Sequence, residues 1–136
     1  MTSALKKSFY ISFATLFLSG LVHVLLDTFF RVSSELGETL HPLQFWFLRL
    51  HSVSGLWFLF LFGYIFARHV QPKLKHRKNR ISGLIFLSML ITLSLSAPAL
   101  FYLVNESLKQ AVTLSHIYLG LIVAIPFYFH SILQKG

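Results

Sequence analysis

The chain has 136 residues, of which 55% are hydrophobic and only 12% are charged. A soluble domain carries about a quarter charged residues, so this composition excludes an ordinary soluble enzyme. There is no Cys, which excludes disulfides, Cys-ligated iron–sulfur clusters, thiol catalysis and covalent c-type haem attachment. Twelve Lys and Arg against four Asp and Glu give a formal net charge of +8, and the chain also holds seven His.

Four stretches of the chain are long and apolar enough for transmembrane helices, each of which needs about 20 mostly apolar residues. They cover approximately residues 8–30, 45–67, 81–104 and 114–133. The connections between them are short, so the sequence predicts one integral membrane domain over residues 1–136. The predicted fold is all-α, a four-transmembrane-helix bundle of up-down-up-down topology.

Basic residues concentrate on one side of this predicted topology. Arg31, Arg49 and Lys109 lie on the minority side, together with all four acidic residues. The other nine basic residues lie at the two termini or between the second and third spans: Lys6, Lys7, Arg68, Lys73, Lys75, Arg77, Lys78, Arg80 and Lys135. By the positive-inside rule, the N- and C-termini and the middle loop are cytoplasmic. Topology and attraction to anionic lipid explain the charge without a nucleic-acid partner.

Four histidines occupy repeated positions on the second and fourth predicted helices. His51 and His69 are 18 residues apart, which is five helical turns, and His116 and His130 are 14 apart, about 40° short of four turns. Each pair therefore shares one helix face. Both helices run in the same direction across the membrane. If their histidine-bearing faces are turned toward each other, His51 lies opposite His116 in an outer layer. The same arrangement pairs His69 with His130 in an inner layer.

Each such pair can clamp one iron from opposite sides, which predicts two haems stacked across the membrane. If the inner pair fails to ligate, one haem binds. The competing interpretation is that each membrane His is a structural hydrogen-bonding residue, although a His inside hydrocarbon is costly and usually marks a functional site.

Small and basic residues next to these histidines support the haem prediction. Gly55 follows His51 by four residues and Gly120 follows His116 by four. A glycine one turn from a ligand removes the side chain that would collide with a porphyrin, and it permits close helix approach. Arg49 is the expected partner of the haem propionates. The repeated spacing of histidine and glycine indicates two related helix pairs. A weaker similarity relates residues 19–21 to residues 82–84, although the two segments lie at different predicted depths in the membrane.

A polar stripe marks the outer end of the first predicted helix. His23, Asp27 and Arg31 follow one another at intervals of four residues and so share one face. One interpretation is that they are interfacial residues whose polar ends reach the membrane surface. The other is a quinone site beside the outer haem, where a His–Asp pair accepts the protons of a quinol.

Three segments carry a resemblance to a known family: HPLQFWFLRLHSVSG, FARHVQPKLKHRKNRISG and SHIYLGLIVAIPFYFH. They resemble the bacterial four-helix di-haem b-type cytochromes, the cytochrome b561-like group that includes cytochrome subunits of membrane formate dehydrogenases and hydrogenases. The resemblance covers approximately residues 41–136. It implies that His116 and His130 are fourth-helix ligands, that His51 ligates the outer haem, and that the protein lies in the bacterial inner membrane.

The sequence therefore favours a membrane b-type cytochrome that holds two non-covalent haem b groups by bis-His ligation. Its expected role is to pass electrons between the quinone pool and a redox partner, as an electron-transfer subunit of an oxidoreductase rather than a self-contained enzyme. Expected partners are membrane lipid, quinone or quinol, and a larger complex or a homodimer. The alternative is a haem-free membrane anchor or assembly subunit. A carrier of protons or metal ions through the same histidines is disfavoured, because Asp27 is the only acidic residue near the predicted membrane interior.

Overall fold

The structure is a computed structural model that describes residues 2–35, 37–71 and 80–133. It divides into two compact units, Met1–Pro72 and Lys73–Gly136, which we call the N-terminal unit and the C-terminal unit. The basic residues Lys73, Lys75, Arg77, Lys78 and Lys135, together with His76, lie outside the described residues. The prediction that they are cytoplasmic stays a prediction.

The N-terminal unit consists of two long helices joined by a short hairpin. Its elements are α1 (Ser3–Phe29), β1 (Val32–Ser34), β2 (Gly37–Thr39), α2 (Pro42–Ile65) and a π-helical turn (Phe66–Val70) that continues α2. The Thr2 hydroxyl accepts a hydrogen bond from the Leu5 amide and so caps α1. Pro42 stands at the first position of α2, where its missing N–H leaves no hydrogen bond unmade.

The hairpin between α1 and α2 is a feature that the sequence analysis did not predict. Its two strands are antiparallel, with Val32 opposite Thr39 and Ser34 opposite Gly37. Gly37 has a φ of +112°, a backbone conformation that side chains disfavour. Strands of three residues are too short to leave an alternating pattern in the sequence.

Over its described residues, 80–133, the C-terminal unit contains three helices, α3 (Arg80–Tyr102), α4 (Glu106–Ile122) and α5 (Ala124–Leu133). The Asn105 side chain accepts a hydrogen bond from the Leu108 amide and caps α4. The last predicted span is divided at Val123, between α4 and α5. Pro126 explains the division, because proline has no N–H to donate to Ile122 and its ring conflicts with that carbonyl.

Within the described ranges, four helical segments are long and apolar enough to cross a membrane: Ser3–Phe29, Pro42–Arg68, Gly83–Tyr102 and Glu106–Phe129. The first begins before the predicted residue 8, because Thr2 caps it and Lys6 and Lys7 extend the helix beyond the apolar run. The fourth begins at Glu106 rather than at residue 114 for the same reason, since Asn105 caps a polar first part. These helices have the features of a multi-pass membrane protein.

Inside each unit, aromatic rings pack against one another. The outer surfaces of both units carry exposed apolar side chains. In the N-terminal unit the ring centroid of Phe58 lies 5.2 Å from that of Phe9 and 6.1 Å from that of Phe13. In the C-terminal unit the rings of Phe86 and Phe127 are 5.7 Å apart. Exposed large apolar side chains line all four segments, for example Phe29, Leu56, Leu95 and Ile125. Such extensive apolar exposure suits a lipid environment and not water.

Candidate functional site

His51 is held on the face of α2 that packs against α1. Its Nδ1 lies 3.0 Å from the backbone oxygen of Leu16 and 3.4 Å from the Ser19 hydroxyl. A carbonyl oxygen can only accept, so Nδ1 carries the hydrogen and donates it to Leu16. The ring is therefore in the tautomer whose lone pair is on Nε2, the atom through which such an imidazole ligates a metal.

A glycine of α1 makes the space for this ring. A Cβ added at Gly20 would lie 2.8 Å from Cε1 and 2.9 Å from Nδ1 of His51. These separations are shorter than real carbon contacts, so any side chain at position 20 would push the imidazole or the helix away. In the sequence, Gly20 belongs to the weak similarity between residues 19–21 and 82–84, and no sequence pattern connects it with His51.

His116 has an equivalent partner in the C-terminal unit. Its Nδ1 lies 2.7 Å from the hydroxyl oxygen of Ser96, on α3. The Ser96 hydroxyl donates its own hydrogen to the backbone oxygen of Leu93 at 3.0 Å, so it accepts from His116. Nδ1 of His116 is thus the donor, and its lone pair too is on Nε2.

The two units repeat one arrangement of four residues. In both, a leucine carbonyl on the first helix accepts from a serine three residues later, and that serine contacts Nδ1 of the histidine on the second helix. The matching residues are Leu16 with Leu93, Ser19 with Ser96, His51 with His116, and Gly55 with Gly120.

The repeat corrects the sequence-based alignment of the halves. The serine that corresponds to Ser19 is Ser96, not Ser82. The signal was present in the sequence, since both first helices contain Leu-x-Leu-Ser followed by a small residue, at residues 16–20 and 93–97. What hid it was the unequal separation of serine and histidine, 32 residues in one unit and 20 in the other.

The glycines one turn after the histidines are not required by packing inside either unit. A Cβ at Gly55 would lie 3.6 Å from Cδ1 of Leu16, and one at Gly120 would lie 4.0 Å from Cδ2 of Leu93. Both are ordinary van der Waals contacts. If these positions need glycine, the need arises from something other than the contacts within each unit.

The inner pair of predicted ligands is located only by its backbone. His69 lies in the π-helical turn Phe66–Val70 and His130 lies in α5, so His130 is separated from His116 by the interruption at Val123. The side chains of His69 and His130 lie outside the described part of the structure, and the inner haem site stays a prediction.

The remaining predicted site residues form contacts of their own. The Arg49 guanidinium stacks 3.9 Å from the Phe45 ring centroid. In the polar stripe of α1, Arg31 binds Asp27 through its carboxylate at 3.2 Å and its backbone oxygen at 2.9 Å. His23 does not join that pair, because its Nδ1 lies 3.4 Å from the backbone oxygen of Gln44 on α2.

No three His, Asp or Glu side chains of the described ranges lie together as a ready-made metal site. Two imidazoles are the whole protein ligand set that a bis-His haem needs. Comparison with protein-family models, with curated proteins and with solved structures gave no match to this chain.

Proposed function

We propose that this protein is a membrane b-type cytochrome that binds two non-covalent haem b groups by bis-His ligation. His51 and His116 would hold the outer haem, and His69 and His130 would hold the inner haem. The protein passes electrons between the quinone pool and a redox partner. It resides in the bacterial inner membrane with both termini in the cytoplasm.

The observation that carries this proposal is the shared setting of His51 and His116. A metal-ligating histidine almost always donates its other ring N–H to a carbonyl, a carboxylate or water. His51 does so to the Leu16 carbonyl, and His116 makes the corresponding bond from the same ring nitrogen to the Ser96 hydroxyl, in each case on the neighbouring helix. One such histidine is ordinary helix packing, whereas the same arrangement in two units favours a common chemical role.

The chain and the cofactor divide the chemistry between them. When bound, haem b supplies one-electron iron redox chemistry, and the protein tunes it through axial ligands, hydrogen bonds and burial. Leu16 and Ser96 hold the imidazole rings in one tautomer and orientation. By accepting from Nδ1–H they also make each imidazole a better electron donor. The apolar helices keep water away from the ligand nitrogens.

The direct test is a pyridine haemochrome assay on the protein purified from membranes. We expect protohaem at two equivalents per chain. One equivalent would remove the inner site and leave the outer one. No protohaem would overturn the proposal and favour the haem-free anchor or assembly subunit.

Removing the hydroxyl that orients His116 should weaken haem binding. We expect Ser96→Ala to lower haem affinity roughly 10-fold or more, the usual effect of losing such a partner. The midpoint potential should rise, because a less basic imidazole stabilises ferric iron less. Haem transfer to apomyoglobin and a redox titration measure the two effects.

Ser19→Ala is the matched control for that experiment. Leu16 still accepts from His51 at 3.0 Å when the more distant Ser19 hydroxyl is removed. The shift in potential should therefore be clearly smaller than for Ser96→Ala. Equal effects of the two substitutions would contradict the assigned hydrogen bonds.

Alanine at Gly55 or Gly120 should separate helix stability from haem binding. Alanine favours a helix over glycine by about 1 kcal/mol, and neither new methyl group would clash within its unit. We therefore expect each variant to be at least as thermally stable as the wild type when both are prepared without haem. Haem content should fall, because the methyl group enters the space that we assign to the porphyrin. Unchanged haem content in both variants would show that the glycines serve another purpose.

A further inference from the structure

Arg49 forms an exposed cluster with two aromatic residues near the start of α2. Its guanidinium carbon lies 3.9 Å from the ring centroid of Phe45 and 5.6 Å from that of Trp46. Phe45 is 51% exposed and Trp46 is 62% exposed, and Arg49 is exposed as well. We call these three residues the Arg49 cluster. It lies entirely within the N-terminal unit, on the surface of a helix able to span a membrane.

The ring contacts leave the hydrogen-bond donors of Arg49 available. A guanidinium carbon 3.9 Å from a ring centroid is at stacking distance, so the ring covers a face of the guanidinium. The N–H donors lie in the plane of the guanidinium and point outward from its edges. Among residues 2–35, 37–71 and 80–133, those of Arg49 make no hydrogen bond or ion pair, whereas Arg31 binds Asp27. Arg49 is therefore a fixed charge whose donors are open to an anion.

The depth of Arg49 in the membrane makes an anionic partner necessary. The segment Pro42–Arg68 has 27 residues, or about 40 Å of helix for a hydrocarbon core of about 30 Å. Centred in the bilayer, it extends about 5 Å beyond the core at each end, and Arg49 follows Pro42 by about 10 Å of helix. Its backbone then lies about 5 Å inside the hydrocarbon, where an unpaired charge is costly. Because helical side chains point toward the N-terminus of their helix, the guanidinium extends toward the nearer membrane surface.

Arg49 and His51 leave α2 in nearly opposite directions. They are two residues apart, which is about 200° around a helix, and His51 faces α1. Arg49 therefore points away from α1 and from the ring that we propose as a haem ligand. A haem propionate, the partner expected from the sequence, would have to reach around α2 to meet the guanidinium. The phosphate of a lipid beside α2 meets it directly.

We propose that the Arg49 cluster binds the phosphate group of an anionic phospholipid, which the proposed topology places in the outer leaflet. The in-plane donors of the guanidinium bind two phosphate oxygens, an arrangement for which the planar fork of arginine is suited. Phe45 and Trp46 hold the guanidinium at the level of the head groups, since tryptophan favours the membrane–water interface. The inference goes beyond the proposed function and does not depend on haem.

Tryptophan fluorescence tests the proposal, because the chain contains two tryptophans and Trp57→Phe leaves Trp46 as the reporter. The full-length protein is placed in phosphatidylcholine vesicles that contain either brominated phosphatidylglycerol or the same fraction of brominated phosphatidylcholine. Bromine quenches a nearby tryptophan, so the ratio of the two quenching curves gives the enrichment of the anionic lipid at Trp46. We expect an enrichment of about threefold or more, because an exposed ion pair contributes a modest attraction.

Arg49→Gln should abolish this enrichment, and Arg49→Lys should restore only part of it, because lysine neither stacks on the rings nor presents a fork. Arg31→Gln is the matched control. It removes the same charge from the same unit, but its guanidinium is already bound to Asp27, so the enrichment should stay as in the protein with Arg31. Equal losses in Arg49→Gln and Arg31→Gln would show a general effect of charge and overturn the proposal.

Haem content, measured on the same samples, separates this inference from the proposed function. Loss of phosphatidylglycerol enrichment in Arg49→Gln with unchanged haem content, or in a protein without protohaem, would support the lipid site. Loss of haem in Arg49→Gln with unchanged quenching of Trp46 would assign the guanidinium to a propionate and overturn it. Equal quenching of Trp46 by the two brominated lipids when Arg49 is present would overturn the lipid site whatever the haem content.

Discussion

Replacing His51 or His116 by alanine is expected to remove the outer haem and to lower the protohaem content by one equivalent per chain. Each substitution deletes an imidazole nitrogen that we propose as a haem ligand. A haem left with one protein ligand would depend on that ligand, on apolar contacts and on propionate interactions, and should be lost more easily. Optical spectra and pyridine haemochrome analysis of the purified variants measure the loss.

The control for this experiment is His41→Ala. His41 caps α2 by accepting from the Leu43 amide, so its loss should cost roughly 1 kcal/mol of stability while the haem stays bound. Restoration of the spectrum of His51→Gly by added imidazole would separate ligation from folding. Full haem content and an unaltered spectrum in both His51→Ala and His116→Ala would refute the bis-His assignment.

Gly20→Ala should impair the outer haem nearly as severely as the loss of His51, although residue 20 supplies no ligand. The new methyl carbon would lie 2.8 Å from the His51 ring, so the ring must turn or α1 must move away from α2. Either movement disturbs the hydrogen bond from Nδ1 to the Leu16 oxygen. We expect most of the outer haem to be lost or its ligand field to change, as electron paramagnetic resonance of the ferric protein would show.

Gly63→Ala provides a close comparison on α2. A Cβ at Gly63 meets no atom of the described residues within 4 Å, and alanine is the better helix former. The haem spectrum should be that of the wild type, with stability equal or slightly higher. If Gly20→Ala behaves in the same way as Gly63→Ala, the close packing of Gly20 against His51 is not what positions the ligand.

The parts of this protein that depend on local sequence were predictable. A run of about 20 apolar residues predicts a helix able to span a membrane wherever it packs, and all four predicted spans overlap observed ones. The ends were predicted less well, because a cap such as Asn105 extends α4 beyond its apolar run. The hairpin between α1 and α2 was missed because its strands are short. The interruption at Val123 was missed because it depends on the local backbone chemistry of Pro126.

Side-chain partners between helices were not predictable from spacing. His23, Asp27 and Arg31 share a face of α1, yet only Asp27 and Arg31 pair, since His23 lies close enough to α2 to contact Gln44. A helical repeat gives the direction of a side chain from its own axis. It does not give the distance to a neighbouring helix or the rotation of that neighbour.

The sequence by itself determined that this is an apolar, basic chain without cysteine, with four helices able to cross a membrane and histidines on the second and fourth. These features follow from composition and from contacts within a few residues. Only the tertiary structure decided that Leu16 and Ser96 accept from the histidines, that Gly20 makes room for His51, and that the side-chain oxygen of Gln44 is buried. Each of these features depends on how two helices pack against each other. The residues that meet there are 20 to 35 positions apart in the chain, and no local sequence pattern predicts such a contact.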